Sequence, residues 1–136
     1  MNIILSIHPK WAKLIYEGEK TIEWRKSEPK KADGLSVIFL YETAPVCKVT
    51  GYVMFNGSYD FNADPNAYYN RRSQVYELFV KEGCVSVDRL LKYQGNAEKI
   101  CAWQVYEPFH FDTARPLEEF GLKRPPQSWC YTEVDV

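Results

Sequence analysis

Several chemistries are excluded by what this chain does not contain. No stretch approaches the ~20 apolar residues of a membrane-spanning helix. The start of the chain, Met1 to Pro9, lacks the charged opening and long apolar stretch of a secretory leader. Histidine is scarce, with only His8 and His110, and none of the cysteines Cys47, Cys84, Cys101 and Cys130 stands in a C-x-x-C pair. A zinc site is therefore not expected, and reduced thiols in a cytoplasmic protein are the simplest reading. There is no G-x-S-x-G elbow, no glycine-rich phosphate loop and no H-E-x-x-H helix, so no cofactor is expected. A triad written from Ser6, His8 and an aspartate has no spacing to support it. Strong charge of one sign is missing too. A net charge of −1 argues against nonspecific duplex binding, which draws its affinity from many phosphate contacts.

What is present is enough for a folded core. The 136 residues are 46% hydrophobic and 15% aromatic, which fits one domain spanning residues 1–136. Charge is unevenly spread. Residues 8–31 hold seven Lys/Arg against four Glu, and the remainder is net acidic. That positive portion reads either as a solvated helix face with a lysine-rich loop or as a patch that meets an anion.

Apolar patterning predicts a strand at 3–7 and a helix opening at Pro9, with Trp11, Leu14 and Ile15 on one stripe. Gly18 closes that helix. A strand follows over 21–26, then an apolar strand over 35–42, a turn at Thr43-Ala44-Pro45, and a strand over 46–55. Gly51, inside that strand, marks a bulge or a close backbone approach. Residues 56–70 read as loop, with Asp64 as cap of a helix from Pro65 or Asn66. A short helix follows Ser86. A long strand begins at Ala97 and is broken by Pro108. Strands outnumber helices and pair through short turns. The expected class is α+β: a small, mostly antiparallel β-barrel, closed or half-closed, with helices inserted at its ends.

The segment Gly18-Glu19-Lys20-Thr21-Ile22-Glu23-Trp24-Arg25 concentrates the chemistry. Alternation sends Ile22 and Trp24 to the core and Thr21, Glu23 and Arg25 to the other side. Lys20 and Arg25 beside a carboxylate can grip an anionic or amide-bearing ligand. The same trio also reads as an ordinary ion-pair network.

The pattern G-x-K-x-x-E-x-R, here Gly18, Lys20, Glu23 and Arg25, resembles the signature of the ASCH domain family. Leu5-Ser6-Ile7-x-Pro9, Tyr41-x-Thr43-x-Pro45 with Gly51, and Pro125-Pro126-Gln127-Ser128-Trp129 resemble other segments of that family, in its order. The resemblance implies a PUA-like barrel with a cleft that receives RNA or a modified nucleoside. A small anion is a further ligand to weigh. It places Ser6, Lys20, Thr21, Glu23 and Arg25 at the ligand, with Tyr41, Thr43, Gln127, Ser128 and Trp129. Tyr41, Trp103 and Trp129 read either as stacking platforms for bases or as core. One branch of the family comprises N4-acetylcytidine amidohydrolases, and Lys20 matches their catalytic lysine. Their proposed nucleophile is a threonine where this chain has Glu23, which would instead activate water. Glu77 stands as a positional candidate for their further glutamate. Ribonuclease activity is the other hydrolytic alternative, again through Lys20 and Glu23.

Overall fold

The computed structural model describes all residues, Met1–Val136. In chain order the elements are β1 (Asn2–Ile7), α1 (Pro9–Tyr16), β2 (Ile22–Arg25), β3 (Val37–Glu42), β4 (Lys48–Asn62), α2 (Gln74–Glu82), α3 (Val87–Gln94) and β5 (Lys99–Arg115). A 3-10 turn (Leu117–Phe120) and β6 (Trp129–Thr132) complete the chain. The strands form one sheet in the order β2-β5-β4-β3-β1-β6, with only the β1–β3 pair parallel.

The class is α+β, as expected, but the sheet does not close into a barrel. β2 and β6 remain as edges. The physical reason lies in β2, which is four residues long and pairs with β5 alone. The gap beyond it is crossed by a side chain and not by a backbone ladder: the Arg25 guanidinium reaches the Ser6 carbonyl and Ser128. The sheet curls toward this gap because β4 and β5 are long and repeatedly shifted in register, at Val49/Gly51, Tyr52/Met54 and Phe55/Ser58. Such shifts bend and twist a strand.

Alternation divides the core. Ile3, Leu5, Ile38, Leu40, Trp103 and Val105 face inward, where Ala12 and Ile15 of α1 pack on them. Ile4, Val37, Phe39 and Tyr41 point the other way, under Leu117 and Phe120. A further cluster joins Ile22, Trp24, Phe61 and Ile100 to Tyr76, Phe79 and Val80 of α2 and Leu90 of α3. Ile22 and Trp24 are thus core residues, as the alternation predicts.

Three local expectations are corrected. β4 runs on to Asn62, because the irregularity at Asn56 and Gly57 is absorbed as a register shift within the strand. Asp64 caps no helix. Its carboxylate accepts from the Asn66 N–H in a local turn, and α2 begins after Ser73, whose hydroxyl accepts from the Tyr76 N–H. Pro108 does not break β5, which continues to Arg115 past a left-handed Glu107 at φ 48°. A proline has no N–H to lose where the ladder is already interrupted.

Gly51 marks a close approach, as expected. A Cβ there would lie 2.1 Å from the Phe109 carbonyl oxygen and 2.9 Å from the His110 Cα. Both are backbone atoms, so relief requires β4 and β5 to separate. Gly51→Ala is expected to cost about 1–3 kcal/mol in urea unfolding. A variant as stable as the parent would show that the strands are not pressed together here.

Candidate functional site

β2 carries the centre of the site, and its neighbours in the fold fix its side chains. Gly18, at φ 80°, ends α1 in a left-handed turn, and the Glu19 and Lys20 N–H groups then donate to the Leu14 carbonyl. The Thr21 N–H donates to the Glu82 carbonyl at the end of α2. Lys20 is thereby turned inward, and its ammonium donates to the Gly83 carbonyl at 2.6 Å. Gly83 is needed bare, since a Cβ there would lie 2.7 Å from the Trp24 Nε1.

Glu23 is gripped from both sides. Its Oε1 lies 3.2 Å from the Lys20 Nζ, while its Oε2 accepts from Arg25 Nε at 2.8 Å and Nη2 at 2.6 Å. Lys20 is 3% exposed and Glu23 6%, so this is a buried ionic chain and not a surface network. Burial alone would push the Glu23 carboxyl up. The Lys20 and Arg25 charges together outweigh it and hold the group below the usual carboxylate range. Arg25 is fully engaged within the protein. Beyond Glu23, its Nη2 donates to the Ser6 carbonyl at 2.8 Å and its Nη1 to the Ser128 hydroxyl at 3.1 Å. Ser6 completes the junction. Its hydroxyl donates to the Pro126 carbonyl, and its N–H to the Ser128 carbonyl.

This chain forms the floor of a cleft of about 520 Å³. Of the residues expected at the ligand, Ser6, Lys20, Glu23, Arg25, Thr43 and Gln127 line it. The others lie elsewhere. Thr21 borders a smaller, separate depression. Tyr41 is buried on the opposite face of β3 with Leu117 and Phe120, because alternation from Leu40 points it away. Ser128 receives Arg25, and the Trp129 indole N–H donates to the Ser27 hydroxyl. Trp103 is fully buried, which decides for core. Glu77 is exposed in the first turn of α2 and does not border the cleft.

Other lining residues carry no sign of this role in the sequence. His8, Lys10 and Trp11 come from the start of α1, and Arg89 and Tyr93 from α3. Trp11 reads as part of the core stripe of α1, yet it is only half-buried. Arg89 and Tyr93, four residues apart, share one helical face, but nothing in the chain links that face to α1. Burial and the Glu23 charge raise the Tyr93 phenol, and Arg25 opposes them. The cleft holds Lys10, Lys20, Arg25 and Arg89 against a single carboxylate, so its field favours an anion. No three His, Cys, Asp or Glu side chains gather where they could hold a metal ion.

A model of the ASCH domain matches residues 5–115. The chain belongs to the ASCH domain family. An ASCH domain-containing ribonuclease of Zymomonas mobilis subsp. mobilis is 28% identical over 131 residues, covering 92% of this chain and 80% of that protein. The crystal structure of the ASCH protein from Zymomonas mobilis superposes with a TM-score of 0.77 at 22% identity, covering 96% of this chain and 86% of that one. A single-substitution variant of the same protein gives 0.78, also at 22% identity, with 96% and 87% covered. These superpositions establish the ASCH fold.

Proposed function

We propose that this ASCH domain, residues 1–136, binds RNA, with one nucleoside unit held in the β2 cleft. The observation that carries the reading is the buried Lys20–Glu23 pair at 3.2 Å on the cleft floor, beneath an excess of cationic side chains. An acceptor beside a donor suits the hydrogen-bonding edge of a base, and the cations suit the phosphates that flank it. Arg25 has its donors engaged, so it positions Glu23 and the 126–128 segment. Gln127 lines the rim and its amide makes no hydrogen bond in the protein, leaving it for the ligand. The ribonuclease name of the Zymomonas relative supports RNA as the partner. A cytoplasmic setting fits four free thiols, and no helix is long and apolar enough to cross a membrane.

The test is fluorescence anisotropy with a short single-stranded RNA across a salt series. Affinity should fall steeply as salt rises. Lys20→Ala should weaken binding roughly 10- to 100-fold, the worth of a hydrogen bond to a charged group. Binding indifferent to both salt and Lys20 would refute the reading.

Hydrolysis is the second reading, favoured by the same relative's name. In it Glu23 takes a proton from the attacking hydroxyl or water while Lys20 faces the developing negative charge. Both Glu23 oxygens are already engaged, one by Lys20 and the other by Arg25, so binding ranks first. Cleaved RNA, or acetate released from N4-acetylcytidine, lost in Lys20→Ala, would reverse that order.

A further inference from the structure

We propose that a nucleobase enters the cleft between the Trp11 indole and the Arg89 guanidinium and stacks on both. The inference rests on the RNA reading above and names the contact that holds the base.

Three of the four tryptophans have aromatic neighbours. Trp24 meets Phe61 and Tyr76, and Trp103 meets Phe55 and Trp129, which in turn meets Tyr131. Trp11 has none. Its ring is surrounded by cations instead, with the Lys10 Nζ at 4.9 Å, the Lys20 Nζ at 5.4 Å and the Arg89 Cζ at 5.6 Å from its centroid. Arg89 reaches it from another element, α3, and both residues line the cleft. The Arg89 guanidinium makes no hydrogen bond or ion pair, and only its backbone N–H is engaged, by Ser86. An exposed guanidinium resting on an indole is a weak contact that a better partner displaces.

A planar base is such a partner. Bases are gripped by stacking on aromatic rings and on guanidinium planes, and Trp11 and Arg89 offer one of each. An inserted base needs two stacking layers, roughly 7 Å at the ~3.4 Å rise of a nucleic-acid strand. The present 5.6 Å separation is shorter than that, so entry of a base requires the exposed Arg89 side chain to swing outward. The base edge then meets Lys20 and Glu23 on the floor, and the phosphate stays among the rim cations. Stacking is indifferent to base identity, so sequence preference falls to the floor pair and Gln127.

The experiment compares three probes: a short oligouridylate, an abasic oligomer with the same number of phosphates, and free uridine. Each is titrated against the wild type, Arg89→Ala and Arg89→Lys. Arg89 is exposed, so these variants should fold, which circular dichroism checks. Loss of one stacking layer should weaken the oligouridylate roughly 5- to 150-fold. Lysine keeps the charge but not the plane, so Arg89→Lys should behave like Arg89→Ala. The abasic oligomer should bind more weakly than the oligouridylate and lose less on substitution. Free uridine that binds with the same Arg89 dependence supports the sandwich and shows that a lone nucleoside suffices. Full affinity in Arg89→Lys, or an abasic oligomer bound as tightly as the oligouridylate, overturns the sandwich while leaving RNA binding intact. No binding of any probe by the wild type at low salt removes the RNA reading itself, and the sandwich with it.

Discussion

Glu23→Ala is expected to cost about 3–5 kcal/mol of folding stability, the usual result of removing one partner from a buried ionic group. Two cations depend on that carboxylate. Lys20 would keep only the Gly83 carbonyl, and Arg25 only Ser6 and Ser128. Both cations are held mostly out of water, with side chains 2% and 12% exposed, so the lost partner is poorly replaced by solvent. Urea unfolding at neutral pH measures the loss, and a change below about 1 kcal/mol would place the trio among solvated surface pairs. The same group sets an acid limit. Its carboxyl is held low in the native state, so the stability it supplies is present above the unfolded-state pKa of roughly 4.3. That stability is lost as pH falls through the native value. The wild type should weaken in acid below about pH 4.3, and Glu23→Ala should show a shallower decline there. Parallel pH profiles for the two proteins would contradict the assignment.

Trp24→Ala should be comparably severe, at about 3–5 kcal/mol for a buried tryptophan. The ring is 6% exposed and packs against Phe61 and Tyr76, with centroids at 5.7 Å from each. It also fills the space over Gly83, the residue that receives Lys20. A cavity there loosens both the second core and the cleft floor. Trp24→Phe makes the contrast. The indole N–H has no partner, so phenylalanine keeps most of the ring and removes an unsatisfied donor. Its cost should stay below about 1.5 kcal/mol. Equal losses in the two variants would mean that shape, and not burial of the ring, governs the site.

β2 is legible in the sequence because period-two alternation is unambiguous when Ile22 and Trp24 flank Glu23. The same rule places Tyr41 away from the cleft once Leu40 is known to face inward, but the chain alone does not say which face of β3 carries the site. Pro108 reads as the end of β5 because proline is the strongest local breaker, and only the partner strand reveals that the ladder is already interrupted there. The helix expected after Asp64 failed for a related reason: an Asp-Pro pair serves a turn as well as a cap, and Ser73 was the better N-cap. Trp11, Arg89 and Tyr93 were beyond reach. Arg89 comes to Trp11 across more than seventy residues of chain, and Tyr93 lines the same cleft. The sheet stays open where the sequence predicts a barrel, because a side chain, Arg25, bridges the place of a further ladder.

That bridge has a consequence for how the cleft comes into being. Ser6 and Arg25 meet the 126–128 segment across 120 and 103 residues of intervening chain. Contacts of that separation carry the entropy of closing a very long loop, and they form only after the sheet between them has brought the two ends together. The cleft is therefore expected to complete late in folding. A fragment lacking either terminal segment can hold helices and hairpins, but it cannot hold the site.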